Sequence, residues 1–260
     1  MGSNWSWPCG DRERRRYKVT TAKPKSDINK AATGKFNIIR AQAIIVPAES
    51  IERILKIHPK DNIPSWVISN PRNLEEVIIV SQHPDDLATF SSKQGNYMVS
   101  LFAANENNWQ RLSNLLENSI NVANSINKTF IGAITDSSGR IFLCYFKHNH
   151  IIQGNSKFIV KLIDQPLTGD YLKELLNDYK GIKFKGCIKY KEKSFLILEE
   201  PKNTIQKAYV VNVFSNEEIG QPGFIMDVSN KIEIGVGSQG LEFVGMASIT
   251  DGIALVFSKK

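Results

Sequence analysis

Three stretches of this chain share one pattern, which limits the possible folds more than any other feature. Each contains Phe-x-Gly, an apolar segment, a polar turn and a second apolar segment; they are Thr129–His148, Lys183–Lys202 and Glu242–Lys260. Two apolar segments of strand length joined by a polar turn are typical of a β-hairpin, and Ser-Ser-Gly in the first copy suits the turn. The sequence therefore predicts three antiparallel hairpins.

Two amphipathic helices precede the first two hairpins. Apolar residues at three- and four-residue steps predict a helix from about Asn107 to Asn127. A second helix is expected from its N-cap Thr168 to Tyr179, with Gly181 just past its end. No helix is expected before the third copy. This favours three hairpins that share strand and turn residues by convergence over a true sequence repeat. The predicted class is α+β, with antiparallel hairpins covered by a few helices and repeated helix-hairpin units as an open alternative.

The N-terminal half of the chain has a less regular pattern of apolar residues. Strands are expected at Phe36–Val46, Glu75–Ser81 and Asn96–Ala104, with a short helix at Glu49–Ile57. Pro59, Pro64 and Pro71 predict an irregular stretch before the second strand. We expect a flexible basic tail over residues 1–35 and a globular body over 36–260, with two subdomains, 36–165 and 166–260, as an alternative.

The positive charge of the chain is concentrated at its beginning. The net charge is +7, and residues 1–30 hold eight basic and three acidic side chains, so this segment carries +5. The body is almost neutral, and an electrostatic partner is expected to meet the tail first. Three widely spaced cysteines, with no apolar run long enough to span a bilayer, favour a reducing, cytosolic compartment without a transmembrane helix.

The first sixteen residues, MGSNWSWPCGDRERRR, combine several membrane-binding features. Gly2 after the initiator Met and Ser6 four residues later fit the N-myristoylation pattern. One myristoyl chain binds membranes only marginally, so a second signal is needed. Cys9 could carry a palmitoyl group, and basic side chains could contact anionic lipid headgroups. These basic residues are Arg12, Arg14, Arg15, Arg16 and Lys18.

This stretch resembles the amino terminus of Src-type tyrosine kinases. The resemblance covers residues 1–16 only and rests on Met1-Gly2-Ser3-Asn4, Ser6, Pro8 and the run Arg14–Arg16. It implies membrane attachment through lipid on Gly2 and Cys9, and it does not imply kinase activity, because no kinase motif follows. The same arginine run also suits phosphate contact, so a nucleic-acid-binding arm stays open.

Two further resemblances concern the body. The segment FIGAITDSSGRIFL is similar to profilin-like folds of the roadblock and longin kind, which implies an adaptor role on membranes. The segment VIIVSQHPDDLATF is similar to the zinc site of LmbE-like deacetylases, which implies that His83 and Asp86 bind metal and Asp85 acts as a base. Leu87 departs from that family, and a turn after a strand accounts for the same residues.

Other candidate sites have simpler interpretations. His148 and His150 are expected on one strand face and could share a metal with His83 or His58, although nothing in the sequence places the remaining ligands. The glycines of Ile234–Gly240 fit neither phosphate-binding pattern and predict a hairpin or bulge. Cys144 and Cys187 lie inside apolar strands and are expected to pack as small hydrophobes.

The sequence thus predicts a non-enzymatic peripheral membrane protein on the cytosolic leaflet. Its expected partners are anionic lipids, which the tail would contact, and proteins, which the body would bind. The body would act as an adaptor, a scaffold or a matrix-type component, and no cofactor is expected. Two alternatives stay open: a nucleic-acid-binding protein with a basic arm, and a metal-dependent hydrolase that uses the His-Pro-Asp-Asp segment.

Overall fold

The computed structural model of the protein describes residues 36–42, 55, 63–82, 96–102, 108–148, 156–179, 181–200 and 208–259. The described strands are β1 Phe36–Gln42, β2 Ile63–Asn70, β3 Asn73–Gln82, β4 Asn96–Phe102, β5 Lys128–Thr135, β6 Ile141–Lys147, β7 Lys157–Ile163, β8 Lys183–Tyr190, β9 Lys193–Glu200, β10 Tyr209–Ser215, β11 Glu242–Ile249 and β12 Gly252–Ser258. The described helices are α1 Trp109–Ser125, α2 Gly169–Asp178, α3 Asn216–Ile219 and α4 Phe224–Glu233, and a π-helix, Ile234–Ser238, follows α4. The predicted α+β class of antiparallel hairpins covered by a few helices is confirmed.

One arrangement of strands occurs four times along the chain. In each case two consecutive strands form an antiparallel hairpin, and an earlier strand pairs with the outer side of the second hairpin strand. The strand orders are β1-β3-β2, β4-β6-β5, β7-β9-β8 and β10-β12-β11. We number these units 1 to 4; they span residues 36–82, 96–147, 157–200 and 209–258.

Local sequence accounts for the two longest helices. The Asn108 side chain accepts a hydrogen bond from the Arg111 amide at 3.0 Å, and the Thr168 side chain accepts one from the Tyr171 amide at 3.3 Å. After α2 the chain reverses at Gly181, whose φ of +81° suits a residue without a Cβ. The predicted helices over 107–127 and 168–179, including the Thr168 cap and Gly181, are confirmed.

Other expectations need correction. A helix, α4, does precede the third hairpin, so the third copy resembles the first two more closely than its sequence indicates. Residues Ile234–Ser238 form a π-helix rather than a hairpin or bulge. The stretch around Pro64 is not irregular, because β2 runs through it; a bulge beside Pro64 lets the strand tolerate a residue with no amide proton.

Some predicted boundaries fall partly outside the described residues. The strand predicted for 36–46 is described as far as Gln42, and the helix predicted for 49–57 is represented by Leu55, which is helical and fully buried. The tail over 1–35 lies outside the described residues. The boundary proposed at 165/166 lies between β7 and α2 of unit 3, and the division into two subdomains stays a prediction.

Four hydrophobic cores lie between neighbouring units. The core between units 2 and 3 lies against α1, that between units 3 and 4 against α2, and that between units 4 and 1 against α4. Leu55 packs in the core between units 1 and 2, in the corresponding place. Each helix therefore covers the junction between its own unit and the next. Because unit 4 shares a core with unit 1, the units form a closed ring.

The second strand of every unit faces the centre of this ring. These four strands contact one another in the cyclic order β2, β5, β8, β11 and back to β2, and β2 and β5 pair in parallel at Val67 and Ile68. A bulge interrupts three of them between the Phe and the Gly of Phe-x-Gly, and the glycines Gly132, Gly186 and Gly245 have φ of +149°, +155° and +156°. The repeated motif thus fixes a bulge at one height on the inner strands.

Candidate functional site: an axial cleft

Four polar residues occupy one equivalent position on the inner strands. The third residue after each glycine is Thr135, Lys189 or Ser248, and the third residue after the bulge in β2 is Ser69. We call these four residues the polar ring. The serines and the threonine are buried, and Lys189 is half-buried. Each comes from a different unit, so the ring exists only in the assembled fold.

Hydroxyl groups link three of the four units at this level. The Ser69 hydroxyl donates to the Thr135 carbonyl oxygen at 3.1 Å and accepts from the Thr135 amide at 2.8 Å. The Ser248 hydroxyl donates to the Ser69 carbonyl oxygen at 2.6 Å. Units 4, 1 and 2 are therefore joined by side chain to main chain hydrogen bonds. Lys189, from unit 3, takes no part in these bonds.

A cleft of about 160 Å³ opens beside the polar ring. Its floor includes all four polar-ring residues. Its walls are supplied by the hairpin turns of units 1, 2 and 3, through Pro71 and Leu74, Asp136 and Gly139, and Tyr190 and Lys191. We call it the axial cleft, since it lies at the end of the four inner strands.

The rim of the cleft carries a second lysine. Lys191 is in the left-handed conformation, with φ of +53°, in the tight turn between β8 and β9. Its Nζ lies 5.3 Å from the ring centroid of Tyr190 and 6.0 Å from that of Trp109. Aromatic faces attract a cation at such distances, and Tyr190, like Lys191, lines the cleft. Among the salt bridges between described residues, none involves Lys189 or Lys191.

The one carboxylate in the cleft wall is engaged by its own turn. Asp136 accepts hydrogen bonds from the Ser138 hydroxyl at 2.7 Å and from the Arg140 amide at 2.8 Å, and its other oxygen lies 2.6 Å from the Arg140 guanidinium. Partial burial acts to raise the pKa of Asp136, but these hydrogen bonds and the Arg140 charge outweigh it and lower the pKa. Asp136 is thus a carboxylate at neutral pH with its charge compensated by Arg140.

A cysteine also lines the cleft without being reactive. Burial raises the pKa of the Cys187 thiol to about 12, although hydrogen bonds from Ser194 and Phe195 and the charge of Lys189 act in the opposite direction. At neutral pH this residue is therefore a thiol, and a thiol is a poor nucleophile. Cys144 and Cys187 are both buried, which confirms that they pack as small hydrophobes.

The residues that the sequence singled out are placed elsewhere or not described. Gly2, Cys9 and the basic residues Arg12 to Lys18 lie outside the described residues, as do His83, Asp85, Asp86 and His150. The ring nitrogen Nε2 of His148 lies 2.8 Å from the Thr129 hydroxyl oxygen, at the end of β5 opposite Thr135. Within the described ranges, no group of three or more His, Cys, Asp and Glu side chains could hold a metal.

Sequence reasoning missed the polar ring, although a signal for it was present. In each copy of the Phe-x-Gly motif the third residue after the glycine is polar, as the segments GAIT, GCIK and GMAS show. The two residues before it are apolar in every copy, so the polar residue marks a shared environment. Ser69 lacked this signal because unit 1 has Trp66 at the bulge where the others have glycine.

Comparisons with known proteins leave the site to be interpreted on its own geometry. No protein-family model, curated protein or solved structure matches this chain. None of the helices in the described ranges has both the length and the apolar character that crossing a membrane requires.

Proposed function

We propose that the protein is a non-enzymatic adaptor that attaches to the cytosolic leaflet of a membrane through its N-terminal tail and binds partner proteins through its four-unit body. The observation that carries this proposal is the separation of charge. Residues 1–30 hold +5 of the +7 net charge, and their eight basic side chains all follow Gly2 and Cys9. A lipid chain together with adjacent basic residues gives the two signals that stable attachment requires.

The hydrogen bonding in the polar ring supports a binding role for the body. The hydroxyls of Ser69 and Ser248 donate to main-chain carbonyl oxygens. An activated serine nucleophile instead donates to a base such as histidine. The ring hydroxyls therefore contribute to joining the units, which suits a rigid scaffold.

The test is mass spectrometry of the N-terminal peptide of protein made in eukaryotic cells, with fractionation of wild type, Gly2→Ala and Gly10→Ala. We expect a myristoyl mass on Gly2 and loss of membrane association in Gly2→Ala. Gly10→Ala makes the same change in the same tail, away from the acylated amine, and should stay with the membrane. An unmodified or acetylated terminus contradicts the proposal.

A second candidate function is nucleic-acid binding, which the run Arg14–Arg16 favours. Phosphate contacts by arginine release counterions, so the affinity for DNA or RNA should fall steeply with salt. Such binding should survive Gly2→Ala and weaken when the three arginines are replaced by glutamine. A salt titration of both variants against duplex and single-stranded probes separates this function from membrane attachment.

A further inference from the structure

We propose that the axial cleft is a binding site for a small oxyanion, a phosphate or a carboxylate group, held between Lys189 on its floor and Lys191 on its rim. Both ammonium groups belong to residues that line the cleft. They come from the end of β8 and from the turn that follows it. Residues from units 1, 2 and 4 complete the floor around Lys189, so the site requires the complete ring.

The charge balance of the cleft favours an anion. Asp136, the only acidic residue among those lining the cleft, already contacts the Arg140 guanidinium and the Ser138 hydroxyl. Its charge is therefore compensated without either cleft lysine. Lys189 and Lys191 take part in none of the salt bridges between described residues, so two lysines that line the cleft are left to attract a ligand.

The shape of the cleft favours a small ligand. Pockets for drug-sized molecules typically enclose about 300–1,000 Å³, and this cleft measures about 160 Å³. The floor offers the hydroxyl group of Thr135, which can donate to a ligand oxygen, whereas the hydroxyl protons of Ser69 and Ser248 are already given to main-chain carbonyl oxygens. Lysine binds phosphate and carboxylate as a point charge and does not need the planar geometry of an arginine fork.

Partial burial makes the floor lysine the stronger contact. Lys189 is half-buried, and its charge acts on the buried Cys187 thiol; electrostatic attraction in such a place is less screened than at the surface. Lys191 lies at the rim over Tyr190 and Trp109 and would contact the outer side of the anion. We therefore assign the larger share of affinity to Lys189.

The experiment is a titration of the full chain with inorganic phosphate and, separately, with succinate, followed through the backbone amide resonances of Ser69, Thr135 and Lys189. Sodium chloride at matched ionic strength is the reference. We expect saturable shifts at these amides with at least one of the two anions. Saturation by phosphate alone, or by succinate alone, identifies which oxyanion the cleft holds.

Three variants test the assignment to the cleft. Lys189→Met should weaken binding about tenfold or more, as expected for the loss of one charge-assisted hydrogen bond. Lys191→Met should weaken anion binding less than Lys189→Met does. It also tests the site if Lys189→Met does not fold. Lys161→Met makes the same change at an exposed lysine of β7 and should leave binding unaltered. Shifts no larger than those in chloride, or equal affinity in wild type and both cleft variants, would overturn the proposal.

Discussion

At the scale of single residues, the inner-strand glycines are required for two different reasons. Gly132 and Gly186 have nearly the same backbone conformation, with φ of +149° and +155°. Their surroundings differ. A Cβ on Gly132 would overlap the main-chain oxygen of Val67, whereas a Cβ on Gly186 would meet nothing closer than the Phe130 ring at 4.0 Å. The first glycine allows two strands to approach, and the second supplies only a conformation.

This difference predicts unequal effects of one substitution. Gly186→Ala should cost about 1–3 kcal/mol of unfolding free energy through backbone strain. Gly132→Ala should cost clearly more, because the same strain is joined by displacement of β2 from β5. Urea unfolding of both variants measures the difference. Equal losses would show that β2 and β5 do not approach as closely as described.

At the scale of elements, α1 protects the free edge of β7. Asn121 donates to the Phe158 carbonyl oxygen and accepts from the Phe158 amide, both at 2.9 Å. Glu117 accepts from the Val160 amide at 2.9 Å, and Ser113 donates to the Val160 carbonyl oxygen at 2.9 Å. Because these side chains recur at four-residue steps on the helix, they follow the strand as a partner strand would. Exposed edges invite pairing with other chains, and this ladder prevents it.

Replacing Asn121, which makes two hydrogen bonds to the strand, should therefore destabilise the protein. Asn121→Leu leaves both the N–H and the C=O of Phe158 without their side-chain partner. The free energy of unfolding should fall by about 1–3 kcal/mol for each of these groups that water does not reach. Asn118→Leu makes the same change at an exposed position of α1 and should have little effect. Chemical denaturation gives the two free energies, and light scattering should detect more self-association in Asn121→Leu. Comparable stability of the two variants would contradict the protective role of the ladder.

At the scale of the whole molecule, Trp66 closes the ring. It stands at the bulge position that glycine occupies in the other units. Its indole Nε1–H donates to the Val244 carbonyl oxygen of unit 4 at 2.9 Å, and its ring lies 4.7 Å from that of Phe243, centroid to centroid. Gly245 leaves room for the indole, since a Cβ there would lie 3.1 Å from it. One large side chain thus joins the first unit to the last.

Shortening this side chain should loosen both of the units that it joins. Trp66→Phe removes the hydrogen bond to Val244 and part of the contact with Phe243, so we expect a loss of about 1–3 kcal/mol. Hydrogen exchange should rise in β2 and in β11 together. Trp109→Phe alters a tryptophan that contacts Tyr190 and should leave both strands protected. Faster exchange confined to β2 would mean that Trp66 is only a local packing residue.

The sequence shows the parts of this molecule that depend on local signals. The three Phe-x-Gly hairpins and the helices α1 and α2 were predictable because caps, turns and apolar periodicity lie within a few residues of one another. The helix α4 was missed because the glycines of 234–240 directly follow its sequence. The strand β2 was missed because Pro64 and Pro71 are residues that usually break strands. Both depend on packing against distant units, since α4 lies over the core shared with β1.

The candidate site was harder to predict, for the same physical reason. Ser69, Thr135, Lys189 and Ser248 are separated by more than fifty residues from one copy to the next and meet only when the ring forms. Thr135, Lys189 and Ser248 share an offset from glycine that the sequence displays, but Ser69 does not. An isolated polar residue near a strand end normally indicates no more than a turn. The shared position becomes visible only through the register of the bulges.

That register has a consequence for how the centre of the molecule could change over time. The bulge fixes the position of each inner strand along the axis. The third residue after the bulge therefore lies in the polar ring, whatever its side chain. The cores lie between the units and do not depend on the identity of those four residues. Ser69 and Ser248 also join neighbouring units through their hydrogen bonds, so the fold offers two replaceable positions on its axis, Thr135 and Lys189, at which a lineage or a designer could alter the chemistry of the cleft while the supporting architecture stayed the same.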